Sequence, residues 1–118
     1  NPDDVKTLVF TTGKIYFHIN DIKINEGRND VAIVRVEQLY PFPEKQVEAH
    51  IKKYKNAQRK LWVQDETVNM GAWPFVSRNF PQFGLEGVAR KESASPAGGL
   101  MSQHNLRQQA IVDQIFKH

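Results

Sequence analysis

The 118-residue sequence contains no cysteine, which excludes disulfides, thiolate catalysis and cysteine metal sites. Its histidines, His18, His50, His104 and His118, are dispersed, and no pair of them has the spacing of zinc ligands. Neither a GxSxG nor an HExxH motif occurs. No apolar run approaches the roughly 20 residues that span a bilayer, and no signal-peptide pattern opens the chain. On residue chemistry alone, the sequence shows no catalytic centre.

Clustered charge is also lacking. The 16 basic and 13 acidic residues leave a net charge of +3, and the basic ones are scattered along the chain. Nucleic-acid binding requires basic residues clustered on one face with aromatic residues between them, so we do not expect it. A hydrophobic content of 40% and a charged content of 25% are ordinary for a globular protein. The length suits one domain, spanning residues 1–118, with a single core.

The strongest structural signal is the stretch over residues 30–43, which reads DVAIVRVEQLYPFP. Its run of four apolar residues at 31–34 is typical of a strand in a sheet that helices cover on both faces. We therefore predict a central strand here, with Ile33 at the middle of the sheet. The prolines end the strand because proline has no N–H to donate, and Pro43 is suited to the start of the next helix.

The rest of the chain alternates between strands and helices. Further strands are predicted over residues 7–11, 60–64 and 87–91, the last of them near an edge. Helices are predicted from the spacing of Ile15, Ile19 and Ile22, of Val47, Ile51 and Tyr54, and of Leu106, Ala110, Ile111 and Ile115, with a short helix over residues 69–80. Ser102 is the predicted N-cap of the last helix. This alternation predicts a three-layer α/β/α domain with a mostly parallel sheet.

Polar residues follow the predicted strands at their carboxyl ends, where ligands bind in such sheets. Thr12-Gly13-Lys14 could present N–H groups and a lysine to an anion, although it lacks the P-loop spacing and a plain turn is the simpler interpretation. Asp65 and Glu66 are interpreted as solvated or interface-pairing carboxylates rather than an acid–base pair. Arg90 and the loop over residues 93–99 suit a phosphate, or alternatively turn formation and capping.

Trp73 follows small residues in the segment Met70-Gly71-Ala72-Trp73. A large aromatic residue in such a context is typical of an interface anchor. Burial of Trp73 in the core of its own domain is an equal alternative, and the sequence leaves both open.

The sequence resembles the C-terminal domain of 2-oxoglutarate dehydrogenase, the thiamine-diphosphate-dependent decarboxylating component of its complex. The resemblance is carried by Gly13-Lys14, DVAIVRVEQLYPFP from Asp30, WVQDE from Trp62, NMGAW from Asn69 and SASPAGGLMSQH from Ser93. It implies a domain like the C-terminal domain of transketolase, with a five-stranded mixed sheet, mostly parallel, and an antiparallel edge strand. The sequence departs from close relatives mainly over residues 17–29 and 80–86.

The resemblance also implies that the chain is a fragment of a larger multidomain oxidoreductase of the tricarboxylic acid cycle. That enzyme would decarboxylate 2-oxoglutarate on thiamine diphosphate and pass the succinyl group to a lipoyl arm of the succinyltransferase component. Thiamine diphosphate and magnesium are expected on other domains, because the family's GDG metal motif and activating glutamate are missing from this sequence. The fragment alone is expected to be inactive. The full enzyme is expected to be a cytoplasmic homodimer in a multienzyme complex, or mitochondrial if eukaryotic.

A structural and regulatory role is therefore expected for this domain. In related enzymes an adenine nucleotide or acetyl-coenzyme A effector binds beside it. The positions carried over for the effector phosphate are Arg90, Ser93, Ser95 and Lys14. The positions expected at an interface are Glu66, Asn69 and Trp73. The alternative function is a free-standing α/β nucleotide-binding or interaction module without catalysis.

Overall fold

Four strands and four α-helices alternate along the part of the chain that the structure describes. A computed structural model describes residues 1–67, 69–90 and 100–117. The elements are β1 (Thr7–Thr11), α1 (Ile15–Asn25), β2 (Val31–Arg35), α2 (Glu44–Lys53), β3 (Arg59–Thr67), α3 (Trp73–Asn79), β4 (Glu86–Arg90) and α4 (Leu100–Phe116). Short 3-10 turns at Pro2–Asp4 and Pro81–Phe83 precede β1 and β4. None of the described helices is long and apolar enough to cross a bilayer.

The strands form one sheet in the order β2-β1-β3-β4. Every neighbouring pair is parallel, which confirms the predicted α/β class with a parallel sheet. The described residues provide four strands rather than the five expected, and none of these four is antiparallel. β4 lies at an edge, as the sequence predicted.

The prediction that β2 is central is wrong, because it lies at the other edge of the sheet. The central strands are β1 and β3, and their fully buried apolar residues are Leu8, Val9, Phe10, Leu61, Trp62 and Val63. Ile33 and Val34 of β2 are only half-buried. An edge strand covered by helices on both faces needs apolar residues on both faces too, so its sequence resembles that of a central strand. Leu61, rather than Ile33, therefore occupies the site where truncation to alanine costs about 2–5 kcal/mol.

The two faces of the sheet bear separate apolar clusters, because successive side chains of a strand point to opposite faces. Val9, Leu61 and Val63 pack with residues of α1 and α4 on one face. Leu8, Phe10 and Trp62 pack with residues of α2 and α3 on the other. This arrangement confirms the three layers.

Three element boundaries differ from those predicted. α4 begins at Leu100, so Ser102 lies inside the helix and not at its N-cap. α3 begins only at Trp73, because Gly71 before it has a positive φ of 68°, which a helix cannot contain. β3 continues to Thr67 and therefore includes the carboxylates that were expected to follow it.

Two arginines near the amino ends of β2 and β3 hold the carboxyl end of α4. The guanidinium of Arg28 donates to the carbonyl of Phe116 at 2.7 Å. That of Arg59 donates to the carbonyls of Gln114 at 2.7 Å and Ile115 at 3.3 Å. The last carbonyls of a helix have no partner within it, and positive charge is favourable at that end of the helix dipole. The arginines therefore cap α4 from the sheet.

Asp30 holds the Arg28 guanidinium in this position. The pH dependence of the protein's stability can test this contact. The two carboxylate oxygens accept from Nε and Nη2 of Arg28 at 2.9 and 3.0 Å, and this hydrogen bonding lowers the pKa of Asp30 from its ordinary value. A depressed pKa in the folded state stabilises the protein above the unfolded pKa of about 4. The contribution is lost as the pH falls through the folded pKa. We expect the thermal midpoints of wild type and Asp30→Asn to differ most near about pH 6 and to converge towards about pH 2. A difference that stays constant over this range would contradict the assignment.

Candidate functional site

The carboxyl ends of the four parallel strands share one end of the molecule, which is the usual place for a ligand in such a sheet. The strand order reverses between β1 and β3, which lie side by side although β2 intervenes in sequence. A crevice is expected at such a reversal. Here the buried hydroxyl of Thr11 in β1 donates to the carbonyl of Val63 in β3 at 2.8 Å. This bond ties together the two strands that border the reversal.

Gln64 organises the loop that follows β3. Its side chain is 1% exposed. Oε1 accepts from Trp62 Nε1 at 3.1 Å and from the backbone N–H of Trp73 at 3.0 Å. Nε2 donates to the carbonyls of Thr67 at 2.8 Å and Met70 at 2.7 Å. All four hydrogen-bonding positions of the amide are thus used, and the amide joins β3 to the first residue of α3.

From the sequence, Gln64 is only the last residue of the strand predicted over residues 60–64. A signal for its burial was present, because residues two apart on a strand share a face. Gln64 is therefore on the same face as Trp62, which is fully buried. A glutamine in phase with a buried tryptophan indicates a buried amide with partners of its own.

Trp73 packs on the backbone of β4. A Cβ placed on Gly87 would lie 2.5 Å from Cε2 and 2.7 Å from Nε1 of Trp73, so only glycine fits beneath the indole. Trp73 is half-buried and belongs to the cluster between the sheet, α2 and α3. The packing within its own domain is therefore clear, while a part in an interface stays a prediction.

A cleft of about 500 Å³ opens beside the carboxyl end of β2. It is lined by β2, the following loop and α2, including Arg35, Glu37, Gln46 and His50. Burial, together with the positive charge of Lys53, lowers the pKa of His50 and favours its neutral form at neutral pH. The His50 ring lies 6.3 Å from that of Phe10 and is stacked on Tyr54 at 6.5 Å. The imidazole is thus packed between aromatic rings, and its Nδ1 is buried without a hydrogen-bond partner among the described residues.

Comparison with known proteins decides the family. A family model described as the 2-oxoglutarate dehydrogenase C-terminal family matches residues 1–116. The chain belongs to this family. The 2-oxoglutarate dehydrogenase E1 component of Cupriavidus necator is 40% identical over 121 residues, covering 98% of this chain and 13% of the relative. Multifunctional 2-oxoglutarate metabolism enzymes from Mycolicibacterium vanbaalenii and Mycobacterium sp. strain KMS are each 37% identical, covering 94% and 95% of this chain and 9% of each relative.

The chain therefore spans only 9–13% of the length of these three relatives. Within the residues that the structure describes, no three histidine, aspartate or glutamate side chains converge as metal ligands would. These residues therefore do not fit the magnesium ion that accompanies thiamine diphosphate.

The positions carried over from the family for an effector phosphate are described only in part. Ser93 and Ser95 lie outside the described residues, and Arg90 is the last residue of β4. Lys14 is exposed in the turn between β1 and α1. β3 separates β1 from β4, so the ends of these two strands are about 10 Å apart. The structure thus places the backbones of Lys14 and Arg90 at the same end of the sheet, two strands apart.

Two of the positions expected at an interface are Glu66, near the end of β3, and Asn69, just after it. Both are exposed. Asn69 accepts a hydrogen bond from the hydroxyl of Thr67 at 2.7 Å. Asp65 beside them has one carboxylate oxygen, Oδ1, that is buried without a partner among the described residues. An alternative to phosphate binding, pairing of Arg90 with Asp65 or Glu66 across this end of the sheet, stays a prediction.

Proposed function

We propose that this chain acts as the C-terminal structural and regulatory domain of a 2-oxoglutarate dehydrogenase E1 component. The observation that carries the proposal is the family match over residues 1–116. The alignment with an E1 component supports it, because nearly the whole chain corresponds to a small share of that relative. No observation favours the free-standing nucleotide-binding module considered from the sequence.

The reaction of the full enzyme belongs to the proposal. It would decarboxylate 2-oxoglutarate and pass the succinyl group to a lipoyl arm of the succinyltransferase component, as a homodimer within a multienzyme complex of the tricarboxylic acid cycle. Thiamine diphosphate, held with magnesium by other domains, would supply the carbanion chemistry, while the protein supplies binding and orientation. The location would be the cytoplasm, or the mitochondrial matrix in a eukaryote.

The full-length protein provides the test of this function. We expect the purified enzyme to decarboxylate 2-oxoglutarate in the presence of thiamine diphosphate, magnesium and ferricyanide as electron acceptor. The matched control is the purified fragment of residues 1–118, which should neither turn over nor show heat of thiamine diphosphate binding in calorimetry. An inactive full-length protein would contradict the assigned reaction. Turnover by the fragment would contradict its role as a domain without a complete active site.

We also propose that Arg90, Ser93, Ser95 and Lys14 contact the phosphate of an acetyl-coenzyme A or adenine nucleotide effector. A guanidinium can bind a phosphate through two parallel hydrogen bonds, and nearby hydroxyls and N–H groups can add to them. The position of Arg90 at the carboxyl end of a parallel strand supports this proposal.

Arg90→Ala in the full-length enzyme is expected to raise the effector concentration needed for half of the rate effect by about tenfold or more, the loss of one charge-assisted contact. Basal turnover should change little. Lys6→Ala is the matched control, since Lys6 is an exposed cation just before β1, at the opposite end of the sheet. An unchanged effector titration in folded Arg90→Ala would remove Arg90 from the site. A loss of folding would instead indicate a structural ion pair of Arg90 with Asp65 or Glu66.

A further inference from the structure

We draw no further inference here: the strongest candidate, the pair of clefts along the outer edge of β2, where Nδ1 of His50 is buried without a hydrogen-bond partner among the described residues, is the place of the antiparallel edge strand that the family resemblance implies, so that filling it restates an established property of the family.

Discussion

Gln64→Ala is expected to lower the free energy of unfolding by on the order of 4 kcal/mol, one of the largest effects of any single substitution in the domain. Removing the buried amide leaves the Trp62 indole N–H, the Trp73 backbone N–H and the carbonyls of Thr67 and Met70 without their partner. Each buried polar group left unpaired costs about 1–3 kcal/mol, reduced where water can enter. Urea unfolding followed by tryptophan fluorescence measures the loss.

Gln38→Ala is the matched control for this substitution. The Gln38 amide also donates to a backbone carbonyl, that of Tyr40 at 3.2 Å, but it is exposed and water can replace the bond. Its removal should change the free energy of unfolding by less than about 0.5 kcal/mol. Similar losses for Gln64→Ala and Gln38→Ala would show that the buried amide does not hold the loop in place.

Gly87→Ala is expected to cost about 3 kcal/mol, the upper part of the range for overpacking. The added methyl group would lie 2.5 Å from Cε2 of Trp73, well inside van der Waals contact. Because the backbone N–H of Trp73 is bound to Gln64, the main chain stays in place and the indole can relieve the clash only by leaving its present rotamer. Urea unfolding gives the loss of stability, and near-ultraviolet circular dichroism reports the displaced indole.

The double variant Gly87→Ala with Trp73→Ala separates this clash from other effects of the methyl group. Trp73→Ala alone removes the packing of the indole, but it also creates the space that the methyl group needs. Residues in direct contact show coupling energies of about 0.5–3 kcal/mol, so the double variant should be more stable than the sum of the single losses predicts. Strict additivity would contradict the close packing of the indole on β4.

Apolar runs and the spacing of apolar residues predicted the four strands and three of the four α-helices of the described residues, because both depend on local sequence. The position of β2 in the sheet could not be read from that spacing. Its apolar residues reflect the helices on its two faces, and an edge strand between two helical layers experiences the same environment as a central one. Strand order depends on pairing between distant segments. The apolar pattern of a single strand carries no information about that pairing.

The contacts that fix the ends of the sheet were likewise invisible in the sequence. Arg28 reaches a carbonyl 88 positions away and Arg59 one 55 positions away, and neither arginine stands in a local motif. The family, in contrast, is identified by sequence similarity alone. Residue chemistry alone could not have identified it, because this domain shows no catalytic motif.

Different interactions stabilise the two ends of the sheet, so pH and ionic strength affect the two ends differently. At the carboxyl end, the uncharged amide of Gln64 is 1% exposed, so neither ionic strength nor acid weakens its bonds. At the amino end, the ion pair of Arg28 and Asp30 is partly exposed at 24% and 40%, and both salt screening and protonation act on it. Acid or salt therefore loosens α4 at the amino end of the sheet first, while the loop that Gln64 holds at the carboxyl end keeps its shape.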